Sequence, residues 1–538
     1  FVNGTDKASG RLSEIVSSLQ AYSSHNIVLR QIPLRSSDEI VGAVDLISER
    51  AWQYREGEPS SLIELPEDAV SREQGARTEL LESLADFDDA LLEQLIEDQQ
   101  PMTEEVYKVA SKTLQHNDLV PAVIGSALHR NGIMRLMKLL RHEAPHVDAL
   151  RDRLSASGDV LAVGFVADLV KHLGKTVLLR ALQPGVRAGE PLGGTAVGSI
   201  TDVDAKTQLG SLSPGDIGLA IKSDHLSLGN GYGRDSRIDL PAWAQPHMPA
   251  YRRILTPEHE RDETRFSSAL ERLTEIDPGV TIDQDEHSGQ FVLSTQGPLH
   301  LRRLLQKLSD DFSIDLEQAS VPLSLRETIK SPIEWHHRHR KQTGGAGQFA
   351  DVVISVRPEA RGAGFHFTEE VKGGAVPRNY IPAVEAGVRE ALGEGPGGYP
   401  VVDVSVVLKD GKHHAVDSSD FAFRTAGKNA VREALSKTGT VTLQPIMRAH
   451  IHVPSVQAGG LVPTVSGLKG QVLGFDAHPT AAGWDVFDCL LPMAALDNLF
   501  NTLASATRGT AWFTSEFDHY EEVRGEDMAG LESARARA

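Results

Sequence analysis

Two stretches far apart in the chain repeat one succession of periodicities, and that repeat restricts the fold more than any other feature. In residues 251–317 an alternating run at 251–255 precedes a helical pattern at 260–276, where Phe266, Ala269, Leu270, Leu273 and Ile276 share one face. Short alternating runs follow at 280–284 and 290–294. A helix at 298–312 then opens on Pro298, and a strand at 313–317 closes the unit. Residues 446–517 give strand 446–453, helix 460–469, strands 471–477 and 484–490, helix 494–507 and strand 511–517. Both read β-α-β-β-α-β, the ferredoxin-like order.

Between the repeats, the alternating apolar run 401–408 predicts a strand. Asp410-Gly411 predicts a tight turn after it, and a second, shorter run ends at Val416. Asp417-Ser418-Ser419 supplies N-cap residues for a following helix. Lys412, His413 and His414 are thereby expected at the tip of a hairpin. Two imidazoles and an ammonium suit an anionic, hydrogen-bonding partner such as RNA. The same residues also fit a solvated turn.

Upstream lie His336-His337-Arg338-His339-Arg340-Lys341-Gln342 and the glycine loop Thr343-Gly344-Gly345-Ala346-Gly347-Gln348. The loop can hug a phosphate backbone. The histidines lack the carboxylate or cysteine framework of a metal site. A basic stretch and glycine loop beside a His/Lys hairpin are more consistent with RNA contact. Charge follows the same division. Residues 79–105 hold ten Asp/Glu and no Lys/Arg, whereas residues 323–440 hold 16 Lys/Arg, 14 Asp/Glu and six His. The net charge of −20 therefore argues against a non-specific nucleic-acid coat without excluding a local RNA surface.

Residues 158–230 change pattern to short β runs, at 160–167, 176–181 and 217–221, separated by Gly and Pro turns; this spacing suggests a small β-barrel. Gly174-Lys175-Thr176 is no P-loop, because Leu169 stands where a glycine is required and a strand pattern follows. Near the start, Phe1-Val2 reads as the end of a strand, and an Asn3-Gly4-Thr5-Asp6 loop follows it. A second short apolar strand at 120–128 ends in Ser126-Ala127-Leu128. An Asn-x-x-Asp loop alone is a common turn. The intervening region holds apolar runs at 28–34 and 40–47 and a predicted long helix at 78–96. With 538 residues, several cores can form. The single cysteine, Cys489, excludes an internal disulfide framework and fits a reducing cytoplasm. No apolar run approaches the ~20 residues of a membrane span.

These motifs together carry a family resemblance. Thr343-Gly-Gly-Ala-Gly-Gln348, Gly373-Gly374-Ala-Val-Pro-Arg-Asn-Tyr-Ile-Pro-Ala-Val384, Gly398-Tyr-Pro-Val-Val-Asp403, His414-Ala-Val-Asp-Ser-Ser-Asp-Phe-Ala-Phe423, Gln444-Pro-Ile-Met-Arg448 and Phe517-Asp-His-Tyr520 resemble the bacterial elongation factor G family over essentially the whole chain. The resemblance implies a multidomain α/β and β fold. Residues 1–148 would be the C-terminal part of a P-loop-type G domain with a subdomain inserted at about 25–119, and residues 149–230 a β-barrel. A ferredoxin-like domain at 247–322, an α+β tip domain at 323–440, a second ferredoxin-like domain at 441–524 and a tail at 525–538 would follow.

It implies that Asn3, Asp6, Ser126, Ala127 and Leu128 hold guanine, and that GTP or GDP with Mg2+ serves the intact protein, the Mg2+ ligands and P-loop lying before Phe1. The chain as given is then expected not to hydrolyse GTP. His414, with His413, Lys412, Thr343, Gly344, Gly345, Gly347 and Gln348, would meet messenger and transfer RNA at the ribosomal decoding site. The acidic inserted subdomain would face the stalk proteins of the ribosome, and the protein would be a cytoplasmic monomer without membrane contact. The implied function is a translational GTPase that promotes translocation. The alternative is a ribosome-binding factor of the same fold with weak or no GTPase, serving occupancy, recycling or protection. Gly4 for the usual Lys, Ala346 for the usual Arg, and Gly297-Pro-Leu-His-Leu301 depart from the family pattern and suggest a diverged paralogue.

Overall fold

The computed structural model describes residues 1–8, 11–37, 39–55, 57–154, 159–284, 289–342 and 347–523. At the N-terminal end, strand Val2–Asn3 pairs in parallel with Ile124–Gly125, and Asn26–Leu29 pairs in parallel with Leu119–Ala122. Between them sits a four-stranded antiparallel sheet of Gln31–Ser36, Glu39–Asp45, Arg50–Arg55 and Glu58–Ile63, covered by helices. Val44, Leu46, Ile47, Leu80, Leu84 and Val106 fill the shared core. The long helix expected at 78–96 is two helices, Glu67–Ala85 and Asp89–Ile96. Asp88 breaks it: its backbone is extended, and its carboxylate caps the second helix by accepting from the Leu91 N–H at 3.2 Å. The apolar run 28–34 likewise divides between two sheets.

Seven antiparallel strands follow, in the spatial order Gln208–Leu209, Ser199–Thr201, Ile217–Ile221, Gly174–Ala181, Ala162–Val170, Asn230–Tyr232 and Arg237–Asp239. The hairpin of Ala162–Val170 and Gly174–Ala181 leans on the first repeat through Lys175–Glu275 at 3.0 Å and Asp168–Lys307 at 2.7 Å.

That first repeat is Tyr251–Pro257, helix Glu263–Ile276, Thr281–Gln284, Phe291–Thr295, helix Pro298–Phe312 and Leu316–Ala319. Its strands align as Thr281–Gln284, Phe291–Thr295, Tyr251–Pro257, Leu316–Ala319. The closing strand starts later than the expected 313, because Ser313 takes a left-handed conformation (φ 53°) that caps the helix. The second repeat runs in the same order around a core of Ile451, Phe487, Leu499 and Phe513.

The region between the repeats builds on β1 (Arg326–Thr328), β2 (Ile333–Lys341), β3 (Gln348–Pro358), β4 (Phe365–Glu369), helix α1 (Ile381–Leu392), β5 (Val404–Lys412), helix α2 (Asp420–Thr438) and β6 (Val441–Pro454). The sheet order is β2-β3-β5-β4, with β4 and β5 parallel. The face bearing Val352, Ile354, Val406 and Leu408 packs on Val384, Val388, Phe423 and Val431 of the two helices. β6 leaves α2 and becomes a central strand of the second repeat, and β1 pairs along its edge.

The hairpin expected at Asp410-Gly411 does not form. β5 runs through both residues to Lys412, and a loop at 413–419 leads directly into α2. Gly411 serves close strand approach instead of a turn: a Cβ there would lie 2.2 Å from the Asp351 carbonyl oxygen on β3. The register shifts between Val353 and Ile354, opposite Lys409.

Candidate functional site

The loop at 413–419 is held from three sides. The Ser418 hydroxyl donates to the Phe349 carbonyl at 2.8 Å and accepts from the His414 N–H at 2.8 Å. The Phe349 N–H donates to the Asp417 carbonyl at 2.8 Å, which fastens the loop to the start of β3. Tyr380, stacked on Phe423 with centroids 4.8 Å apart, donates its hydroxyl to the Ser418 carbonyl at 3.3 Å. Ser419 caps α2, accepting from the Ala422 N–H at 3.2 Å. Asp417, Ser418 and Ser419 thus divide three jobs among consecutive residues.

His414 stands at the turn of this loop, half-exposed. Nδ1 accepts the Asp417 N–H at 3.2 Å when the proton is on Nε2, and donates to the Asp417 carboxylate at 3.1 Å when it carries the proton itself. Nε2 has no protein partner among the described residues. The exposed ring edge can therefore meet a phosphate, a ribose oxygen or a base edge.

Around it the structure gathers several of the expected residues. Lys412 ends β5, exposed and without an ion pair among the described residues. His413 lies beside it, with Nδ1 3.3 Å from the Ala375 carbonyl. Gly347 faces Asp417 so closely that a Cβ would lie 2.5 Å from Oδ1. Gln348 accepts from His339 Nε2 at 2.9 Å. Thr343, Gly344 and Gly345, with Ala346, lie outside the described residues. Next to the cluster, β2 pairs Lys341 with Gln348, and Arg340 and Lys341 are exposed without ion pairs among the described residues.

Sequence reasoning missed Asp351, which sits opposite Arg338 in the β2–β3 pairing. Its buried carboxylate accepts from Arg338 Nε at 2.7 Å and from His336 Nε2 at 2.8 Å. Burial opposes its ionisation, but Arg338 and His336 outweigh it and hold the carboxyl below the usual range. His337 and Trp335 both meet Glu433 of α2, at 2.9 and 2.8 Å. The histidine run is therefore divided between the two faces of the sheet, and among the described residues no group of three or more metal-type side chains comes together.

The second expected cluster also assembles. Asn3 Oδ1 accepts from the Ala127 N–H at 2.9 Å, joining the two loops across 124 residues. Ser126 and Asn131 exchange backbone hydrogen bonds. The Ser126 hydroxyl is the chief influence holding the Asp6 carboxyl below its ordinary value, with His129 adding to it. Asp6 Oδ1 is shielded from solvent and has no hydrogen-bonding partner among the described residues. The Asn3–Ala127 bond and the Ser126–Asp6 contact bring the two loops side by side. Gly4 has φ 76° and offers no stem to cover the ring, and Leu128 is 77% exposed. A cavity of about 600 Å3, lined by Met248, Met447, Met493 and Phe500 among others, separates the two repeats; no residue of either loop cluster lines it.

Comparison with known proteins gives a consistent result. Residues 247–320 match the family description "Elongation Factor G, domain III", residues 322–439 "Elongation factor G, domain IV", and residues 441–530 "Elongation factor G C-terminus". An elongation factor G-like protein of Synechocystis sp. is 35% identical over 97% of this chain and 79% of its own length. One from Thermotoga maritima is 30% identical over the same shares. A crystal structure of a protein from Thermus thermophilus superposes with a TM-score of 0.77 at 26% identity, covering all of this chain and 81% of that one. With three consecutive domain matches and relatives aligned along nearly its full length, the chain belongs to the elongation factor G family, among its elongation factor G-like members.

Proposed function

We propose that the protein is a ribosome-binding translation factor that promotes movement of transfer and messenger RNA through the loop at 413–419. The observation that carries this reading is the exposed His414 ring, whose Nε2 has no protein partner among the described residues, set in a loop fastened to two strands and a helix and flanked by Lys412, Arg340 and Lys341, which have no ion pair among the described residues. Phosphate contacts from such cations orient a nucleic acid, and a directional hydrogen-bonding group adds selectivity. No residue of this cluster does covalent chemistry. The loop works by occupying a position and resisting RNA displacement, and the remaining stations are the described Gly347 and Gln348 together with Thr343, Gly344 and Gly345.

Asn3, Asp6, Ser126, Ala127 and Leu128 are proposed to hold the guanine of GTP or GDP. When bound with Mg2+, the nucleotide supplies a hydrolysable phosphate that biases a multidomain conformation. Asp6 contributes the carboxylate that would turn to the base, and Asn3 orders the Ala127 N–H. The open position at Gly4 leads us to expect looser guanine binding than a lysine stem gives.

The test is GTP hydrolysis and ribosome co-sedimentation by the product of the complete native gene. Ribosome-stimulated hydrolysis supports the translocating factor. Binding without hydrolysis supports the occupancy reading, which the loss of the stem at Gly4 favours. Neither binding nor hydrolysis contradicts both.

A further inference from the structure

We propose that Glu327 is the pin of a rigid junction that makes the tip-bearing region and the second β-α-β-β-α-β unit move as one lever. The two are joined by β6, which continues from the end of α2 into the sheet of the second unit, and by β1, which pairs along its edge at Arg326↔Leu443, Glu327↔Thr442 and Thr328↔Val441. Two strands alone form a ribbon that bends. Glu327 lies on that ribbon with only 1% of its surface exposed.

Its side chain and backbone tie the ribbon to a third segment. Oε1 accepts from the Tyr399 N–H at 2.9 Å, and Oε2 accepts from the Thr440 hydroxyl at 2.5 Å. The Glu327 N–H donates to the Pro400 carbonyl, and its carbonyl accepts from Val402 N–H, both at 2.8 Å. The loop carrying Tyr399 and Pro400 is rooted in the tip region. Val401 belongs to its core and donates its N–H to the Leu392 carbonyl at the end of α1. A Cβ at Gly395 or Gly397 would come within 2.6 or 2.9 Å of the carboxylate, so the loop wraps the group closely.

No Lys, Arg or His forms an ion pair with Glu327 among the described residues. The carboxylate is held by directional neutral donors, so its hold depends on geometry, and its removal leaves the Tyr399 N–H and Thr440 hydroxyl without that acceptor. Glu327 is thus a positioning residue: it touches no RNA, and it sets where the loop at 413–419 points. The consequence for RNA movement rests on the function proposed above, but the rigidity does not.

Spin labels at Val416→Cys and Val456→Cys in the native protein report the junction, since those residues are 83% and 77% exposed and Cys489 is buried. Pulsed dipolar spectroscopy off the ribosome gives one narrow distance distribution for the wild-type junction. In Glu327→Ala the distribution broadens about twofold, as a freed hinge does, while circular dichroism stays native. Glu327→Gln, which keeps one acceptor oxygen, falls between. Thr440→Val and Gly395→Ala probe the same contacts if Glu327→Ala fails to fold. Glu143→Gln, at a buried ion pair away from the junction, controls for general destabilisation and leaves the width unchanged. Folded Glu327 and Thr440 variants with the wild-type width overturn the proposal. Because no ribosome is present, a failure of the ribosomal reading does not affect this result.

Discussion

The Ser418 hydroxyl donates to the Phe349 carbonyl 2.8 Å away, and that bond fixes the loop at 413–419 to the strand beside it across 69 residues of sequence. The same oxygen accepts the His414 N–H, so one hydroxyl both anchors the loop and orients the histidine. Ser418→Ala removes both bonds. At about 1 kcal/mol of net worth each, local opening becomes roughly tenfold or more easier. Amide hydrogen exchange at His414 and Phe349 checks this, with global stability changing little.

Gly347→Ala places a methyl group 2.5 Å from Asp417 Oδ1, where the carboxylate stands beside His414. The partly exposed carboxylate must swing aside, at a cost of about 0.5 kcal/mol as for other surface substitutions. A nearly unchanged melting temperature and an altered His414 imidazole signal in NMR are the expected readouts. An unshifted signal contradicts the contact.

His452 stacks on Trp512 with centroids 3.7 Å apart, close to His478, while His247 covers the same indole at 4.0 Å. Burial, reinforced by His478, His247 and His450, pushes its pKa down to about 4. The unfolded chain takes up a proton near 6.5, and the folded one does not until about 4. Stability contributed by the neutral ring is therefore present above 6.5 and falls as pH drops toward 4. Urea unfolding of His452→Phe between pH 6.5 and about 4 loses this part of the pH slope. A slope equal to wild type contradicts the assignment.

Arg30 and Glu143 form a two-pronged ion pair, 2.6 and 3.1 Å, with side chains 2% and 3% exposed. Breaking one side leaves a buried charge, so Glu143→Gln costs about 3–5 kcal/mol. The urea midpoint falls accordingly, and a change below about 1 kcal/mol contradicts it.

Much of the architecture was legible in the sequence because it rests on local periodicity. Phe266, Ala269, Leu270 and Leu273 mark a helix face without knowledge of its partners, and the N-cap assignment at Ser419 needs only three residues. What escaped depends on distant neighbours. Asp410-Gly411 has the composition of a turn, yet Gly411 is there for the Asp351 carbonyl on another strand. Asp88 interrupts an apolar pattern that continues across it, so periodicity alone runs two helices together. Asp351 and Glu327 act through partners 13 to 113 residues away, and nothing near either residue announces them. In the candidate site, His414 and Lys412 were legible as exposed polar residues. Their anchoring by Phe349 and Tyr380 was not, because it is a tertiary contact.

The most direct test of the central claim is single-turnover translocation on ribosomes by the complete native protein, wild type against His414→Ala, with GTP turnover measured in parallel. Loss of a directional hydrogen bond to RNA should slow translocation about tenfold or more, the equivalent of about 1.4 kcal/mol or more, with GTP turnover nearly intact. Equal translocation rates in the two proteins would contradict the account and remove His414 from the functional site.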